Sequence, residues 1–318
     1  MFSEFFLKIN DYECFSTALS ALPDDERWRV IERMMVGIFR ASFRDFDSKL
    51  HMFRICEQMG GHVLPVHFYS PVPNLSMLTA KDFEQVFDLG FSAADQLEFV
   101  RTVSEYGSEL SDVPQCAEAG EVCWKNSAIC EGDATLYYCL LRHFKPKLVL
   151  EVGSGYSTLF ARRAGMGQLE AIEPYPFAWL QNTVDRLIEL PVQDVPLSEF
   201  QRLQKNDVLF IDSTHVCKIG SDVNYLFLNV LPKLNPGVVV HVHDIFLPFE
   251  YPQSWVQDQQ IYWNEQYLLA ALLLHSKDWK VLAANHWLGR TCENEMRQLF
   301  PDVPVPGGGS FWMVKKGG

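Results

Sequence analysis

Positive charge is in short supply. The chain of 318 residues carries 27 Lys and Arg against 40 Asp and Glu, a net charge of −13. Such a surface repels a polyanion, which argues against general nucleic-acid binding and against docking on an anionic membrane. Cysteine is sparse too. There are 8, and Cys116, Cys123 and Cys130 are spaced too widely for the usual zinc pairs, so neither a disulfide scaffold nor a zinc module is expected. Long apolar runs are missing: the longest, Tyr267 to Leu274, falls far short of the roughly 20 residues of a membrane span. The opening residues, Met1 to Lys8, include Glu4 and lack the basic start and the apolar stretch of a signal peptide. These absences lead us to expect a soluble, cytoplasmic protein with reduced thiols and no membrane or nucleic-acid partner.

What remains is ordinary globular material, 48% apolar and 21% charged. A chain of this size buries roughly 75% of its unfolded surface, enough for one large domain or a core with an appended part. The pattern changes along the chain, and we expect a helical N-terminal cap over residues 1–130 and an α/β core over 131–318. In the first part, Pro23, Asp24 and Asp25 open a helix that carries Trp28, Ile31, Met35, Ile38 and Phe39 at helical spacing, and the helical region stops at Gly60 and Gly61. The stretch 67–73, HFYSPVP, is excluded from a helix by Pro71 and Pro73 and is expected to be extended. Ser92 and Asp95 cap a further helix running to about Leu110. The arginines Arg27, Arg29, Arg33, Arg40 and Arg44 are interleaved with acids, which reads as a solvated helix face rather than a basic patch.

From Leu148 onward, LVLEV (148–152), LEAIE (169–173), DVLFID (207–212) and GVVVHVHD (237–244) are continuous apolar runs suited to strands buried on both faces. Amphipathic segments at 157–165, 176–189 and 220–233 separate them, which predicts crossover helices and a doubly wound parallel sheet. WKVLAA (279–284) and SFWMV (310–314) read as two more strands with no clear helix between them, so an antiparallel pair is expected at the end.

The strongest local signal is EVGSGYST (151–158), directly after a buried strand and directly before a helix. Glycines there let the backbone approach a ligand closely. Eighteen residues after Gly155 the next strand ends in Glu173, a carboxylate placed to accept both hydroxyls of an adenosine ribose. A dinucleotide fold would want a third glycine where Thr158 stands, and it would not open with Glu151. An acid at that place can accept from the ammonium group of S-adenosylmethionine, which NAD lacks.

On these residues the sequence resembles the class I S-adenosylmethionine-dependent methyltransferases, in particular the bacterial branch called methyltransferase family 24. The resemblance is carried by EVGSGYST (151–158), AIEPYP (171–176), VQDVP (192–196), LFIDSTHVCKIGSDVNYLF (209–227) and PGVVVHVHDIFLPFEYP (236–252), with HFYSPVP (67–73), WNEQYLL (263–269) and GGSFW (308–312) in support. It implies a Rossmann-like seven-stranded α/β core with an antiparallel last strand and a helical N-terminal extension. Within that core it implies that Glu151, Gly153, Ser154, Gly155 and Ser157 cradle the methionine part of the cofactor, that Glu173 binds the ribose, and that Asp194 lies near the adenine. The third glycine of the usual turn is here Ser157.

A second cluster ends the fourth and fifth strands: Asp212, Ser213, Thr214, His215, and His241, Val242, His243, Asp244. Ligands of open parallel sheets bind outside the carboxyl ends of the strands, so the transferred methyl belongs here and Asp212 faces cofactor and acceptor alike. Period-two geometry puts His241 and His243 on one face, with His241 deeper and expected as a packed core histidine. His243 and His215 are the candidates for a general base. Asp212, His243 and Asp244 are an alternative divalent-metal set. Related O-methyltransferases that use such an ion have two acids where this chain has His243 and Asp244. Asp244, Glu250, Trp263 and Glu265 are expected against the acceptor, in an aromatic-walled pocket that Trp255, Asn264 and Tyr267 extend, and Tyr69 with Ser70 is expected to close over the cofactor. For the aromatics among them core packing is the stronger reading, because large apolar rings are mostly buried. The expected activity is O-methylation of a small polar acceptor such as a sugar or secondary metabolite. A NAD-dependent oxidoreductase and a catalytically silent S-adenosylmethionine-binding protein are the alternatives.

Overall fold

A computed structural model of the chain describes residues 12–42, 45–58, 60–62, 64, 66–126, 128–303 and 307–317. It divides into two compact units, Met1–Asn74 and Leu75–Gly318. Three helices make up the first: α1 (Tyr12–Ser20), α2 (Asp24–Ser42) and α3 (Phe46–Gln58). Asp24, Asp25 and Glu26 fill the first turn of α2, where the exposed amide ends of the helix favour negative charge. Arg27 pairs with Asp24, and Arg29 lies 3.8 Å from Asp25, so these two arginines meet acids of their own helix; Arg44 lies outside the described residues. The segment 67–73 departs from expectation. The Ser70 amide donates to the His67 carbonyl at 2.8 Å, closing a turn. Its prolines forbid a helix but restrict only their own φ and the residue before them, which leaves His67 to Tyr69 free to bend.

The second unit holds a seven-stranded sheet in the order β3-β2-β1-β4-β5-β7-β6. Its strands are β1 (Leu148–Val152), β2 (Gln168–Ile172), β3 (Arg186–Ile188), β4 (Val208–Ile211), β5 (Val239–Val242), β6 (Trp279–Ala284) and β7 (Phe311–Lys315). Strands β1 to β5 pair in parallel and β7 is antiparallel to both neighbours, the expected reversal at the sheet's end. Every residue of β1, β4 and β5 is buried. That follows from covering both faces, and it is why these strands read as unbroken apolar runs. Buried Asp207 ties the strand entrances together: Oδ1 accepts from the Lys147 and Leu148 amides at 2.9 Å and Oδ2 from the Gln204 amide at 2.8 Å.

Helix α4 (Ala93–Ser104) begins at the expected cap, the Ser92 hydroxyl accepting from the Asp95 amide at 3.3 Å. Helix α5 (Glu131–Phe144) precedes β1, and α6 (Tyr156–Ala164) links β1 to β2. A helical run from Asp222 to Lys233 follows β4, and α7 (Glu265–His275) precedes β6.

Three expectations are corrected. The segment 176–189 is mostly not a helix: one turn at Leu180–Thr183 leads into strand β3, whose three residues are too short to show a period. Two short helices, α8 (Asn285–Thr291) and α9 (Glu293–Leu299), separate β6 from β7. The boundary expected at residue 130 falls inside the second unit, because Val100, Val103 and Leu110 are buried in one cluster with Tyr137 and Val149. Gln96 fixes this join by accepting from the Ala284 amide at 2.8 Å.

Candidate active site

The glycine turn after β1 is held from below. The Gly155 amide donates to Thr158 Oγ1 at 3.0 Å, Thr158 Oγ1 donates to Glu151 Oε2, and the Tyr137 hydroxyl donates to Glu151 Oε1 at 2.7 Å. Glu151 is fully buried, and that burial, opposed by the two hydroxyl donors, pushes its carboxyl up to about 7. Both of its oxygens are engaged in fastening the turn. Gly153 has φ +77°, and a Cβ there would sit 1.6 Å from the Asp212 carbonyl oxygen, so the turn crosses the end of β4 at a distance only glycine permits.

Glu173, at the end of β2, accepts from the Ser154 amide at 3.2 Å through Oε2 and from the Tyr175 amide at 2.8 Å through Oε1. One lone pair on each oxygen stays open to a further donor. A cavity of about 420 Å³ opens between the strand ends, with Gly153, Glu173, Val192, Asp212, Ser213 and Lys218 on its wall. The residues present suit an adenosyl ligand: Glu173 offers acceptors for two vicinal hydroxyls, Val192 an apolar surface for a base, and the Ser213 hydroxyl is buried with no hydrogen-bond partner among the described residues. Not every expected cofactor residue reaches the wall. Pro191, Val192 and Gln193 line it where Asp194 was expected, and Asp194 is the next residue, exposed. Ser157 is buried in α6, and Tyr69 belongs to the first unit, exposed beside His67 and Phe68.

The second cluster does assemble at the carboxyl ends of β4 and β5. His215 and Asp244 both adopt the left-handed region, φ +60° and +55°, conformations that cost on the order of 1–3 kcal/mol each and are kept where the surroundings over-determine them. His215 Nε2 lies 3.2 Å from Asp212 Oδ1 and 3.8 Å from Asp244 Oδ2, while Nδ1 lies 2.9 Å from Glu265 Oε2. Burial pushes this imidazole down, but Asp212 and Glu265 outweigh it and raise the ring to about 10. Asp212 is held below the usual carboxylate range: its own desolvation works the other way, and the fields of His243 and His215 prevail.

His243 is buried with Nε2 3.8 Å from Asp244 Oδ1, and the acids Asp212, Asp244 and Asp133 raise it in spite of burial. His241 is a packed core histidine as expected: Nε2 contacts Ser310 Oγ at 2.9 Å, the ring stacks on Phe210 at 4.0 Å, and burial drives it well below an ordinary imidazole.

The expected acceptor residues divide. The Trp263 ring lies 4.2 Å from that of His215, tilted against it, and Trp255 meets Trp263 edge-on at 5.4 Å. Glu250 accepts from the Tyr267 hydroxyl at 2.6 Å and the Gln266 amide nitrogen at 3.1 Å. Glu265 has no exposed surface and turns to His215 instead of an open pocket. Three supports are not among the candidate residues read from the sequence. Tyr137 lies on α5, a helix that precedes the motif; Asp222 takes both the amide and hydroxyl of Thr214, at 2.8 and 2.7 Å; and Asp133 accepts from the Gly309 and Ser310 amides at 2.7 and 2.9 Å. Only the capping position of Asp222, one residue after Ser221 at a helix start, was visible beforehand.

Residues 150–245 match the family model Methyltransf_24, a methyltransferase domain. An uncharacterized protein of Archaeoglobus fulgidus is 29% identical over 198 residues, covering 54% of this chain and 89% of the relative. Among solved structures, the O-methyltransferase TomG of Streptomyces achromogenes, in complex with SAM, matches at 17% identity over 69% of this chain and 90% of its own, with a TM-score of 0.36. The SAH-bound methyltransferase PaMTH1 of Podospora anserina matches at 17% identity over 81% of this chain and 100% of its own, with a TM-score of 0.37. The stretch that matches this methyltransferase-domain model, 150–245, contains the glycine turn, Glu173 and both strand-end clusters, and the sheet order described above is that of the class I methyltransferase fold.

Proposed function

We propose that the protein methylates a hydroxyl oxygen of a small, polar, uncharged acceptor, with His215 as the base that takes the hydroxyl proton. The observation that carries this reading is the placement of His215 Nε2 between Asp212, which lines the cavity at the end of β4, and Asp244, at the end of the neighbouring β5. S-adenosylmethionine, when bound, supplies an electrophilic methyl on a sulfonium. Everything else falls to the chain. Glu173 and the glycine turn fix the donor, Asp212 accepts from the acceptor or from His215, and the rings of Trp263 and Trp255 give an apolar wall against which a sugar-like face can lie. With Glu265 on Nδ1, the basic form of His215 presents its lone pair at Nε2. The acidic surroundings disfavour an anionic acceptor. Glu250 is assigned to the acceptor.

A divalent ion is a second reading, favoured by one observation: donor atoms of Asp212, His215 and Asp244 lie within 4.8 Å of one another. This set has His215 where the sequence suggested His243. An ion held there would lower the pKa of the acceptor hydroxyl.

The test is incubation with donor carrying an isotopically labelled methyl and a panel of neutral glycosides and polyols, with EDTA or Mg²⁺. Label in an ether-linked methyl, undiminished by EDTA, supports the first reading. Dependence on the ion supports the second, and label only on nitrogen or carbon overturns both. Binding is checked separately. S-adenosylhomocysteine at 100 times its dissociation constant stabilises by about 2.7 kcal/mol, roughly 5 °C in midpoint, and Glu173→Ala is expected to abolish the rise.

A further inference from the structure

We propose that Glu265 is the positioning residue of the site: it holds the His215 imidazole by Nδ1 and thereby aims Nε2 at the reacting hydroxyl. This inference rests on the reading of His215 as the base. Glu265 opens α7, has no exposed surface, and places Oε2 2.9 Å from His215 Nδ1. Its other oxygen is buried without a hydrogen-bond partner among the described residues. A carboxylate taken out of water at this cost needs a charged or donor partner, and the imidazole is the one it has.

The neighbours of Glu265 act on the same histidine. The Asn264 and Glu265 amides both donate to the His215 carbonyl, at 3.1 and 3.2 Å, and fix its left-handed backbone. Asn264 Oδ1 accepts from the Cys217 amide at 2.6 Å, which anchors the residues after the histidine. Trp263 covers the imidazole face at 4.2 Å with an interplanar angle of 34°. Three consecutive residues thus set the ring's backbone, face and edge, leaving Nε2 directed at Asp212 and Asp244. Structural packing alone would need an apolar side chain at 265. A carboxylate selects the Nδ1–H form, and only that form gives a neutral ring its lone pair at Nε2.

The test pairs turnover with proton NMR of the full chain. In the wild type a far-downfield Nδ1 proton is expected, assigned to His215 by its loss in His215→Asn. In Glu265→Gln, which keeps the shape and removes the charge, that resonance is expected to move upfield or vanish. For the same variant, kcat is expected to fall on the order of 10²-fold, with KM for acceptor and affinity for S-adenosylhomocysteine within about twofold of the wild type. A purely structural role would lower the thermal midpoint and leave the resonance and the ratio of kcat to KM in place. The proposal is overturned if kcat is unchanged, if the loss lies in KM alone, or if the wild type shows no such proton. The last arm decides even if Glu265→Gln does not fold. The outcomes are separable from failure of the wider reading: a wild type that methylates no hydroxyl sinks that reading, while the resonance reports independently on whether Glu265 holds His215.

Discussion

His215 sits among three carboxylates, Asp212, Asp244 and Glu265, with His243 behind them, and its conjugate acid is stabilised up to about 10. At neutral pH the ring is therefore protonated, and the fraction able to accept a proton grows tenfold with each pH unit. The expected outcome is a log kcat/KM that rises with slope near one from pH 7 toward 10; a profile flat over that range sinks the base assignment. Folding follows the opposite course. The stabilisation from His215 is complete below its unfolded value of 6.5 and is lost as pH rises through about 10. Glu151 behaves alike over a lower window, since its folded value of about 7 lies above 4.5 and the stability it gives in acid disappears as pH rises between them. Glu151→Gln has no charge to bury; its oxygen still accepts from one of the two hydroxyls and its amide N–H donates to the other, whose oxygen can accept. It should remove this decline and recover on the order of 3 kcal/mol above pH 7, visible as a higher thermal midpoint than the wild type at pH 8 and none at pH 4. The acids and imidazoles at the strand ends were legible in the sequence, because the carboxyl end of a buried apolar run marks where ligands sit. What each group does was less so. The hydroxyls of Tyr137 and Thr158, and the turn of Glu265 toward His215, depend on contacts between segments that no local spacing encodes.

At the level of the element, the runs LVLEV and VLFI announce β1 and β4 because both faces are covered, whereas β3, with only Arg186, Leu187 and Ile188, offers too little length for a pattern to show. The helices α8 and α9 were missed for a related reason: each is seven residues long, and Gly289 interrupts the first. Two close approaches at the strand ends are made through glycine. At Gly153 the φ of +77° and the 1.6 Å approach to the Asp212 carbonyl act together, so Gly153→Ala must separate β1 from β4. Its expected cost is 4 kcal/mol or more, about the upper end for a single substitution, measured by denaturant unfolding, together with loss of S-adenosylhomocysteine binding. Gly309 is the milder counterpart. A Cβ there would stand 2.9 Å from the Asp244 α-carbon, and the Gly309 carbonyl already accepts from the Ile245 amide at 2.8 Å. Gly309→Ala is expected to leave cofactor binding intact and lower turnover, because it displaces Asp244 and not the glycine turn.

At the scale of the whole molecule, the site belongs to one of the two units. Every residue on the cavity wall belongs to Leu75–Gly318, as do His215, His243, Asp244 and Glu265. That unit also contains both buried apolar clusters, each with members on several strands, while none of the described residues of the first unit is buried. The change of composition near residue 130 therefore marks where the sheet begins and not where a folding unit does: α4 precedes it in the chain yet shares its core through Val100 and Val103. A shortened chain beginning at Leu75 should keep a single cooperative transition and bind S-adenosylhomocysteine with a dissociation constant within about threefold of the full protein, since it loses no wall residue and no core cluster. Calorimetric titration of the two proteins side by side measures this.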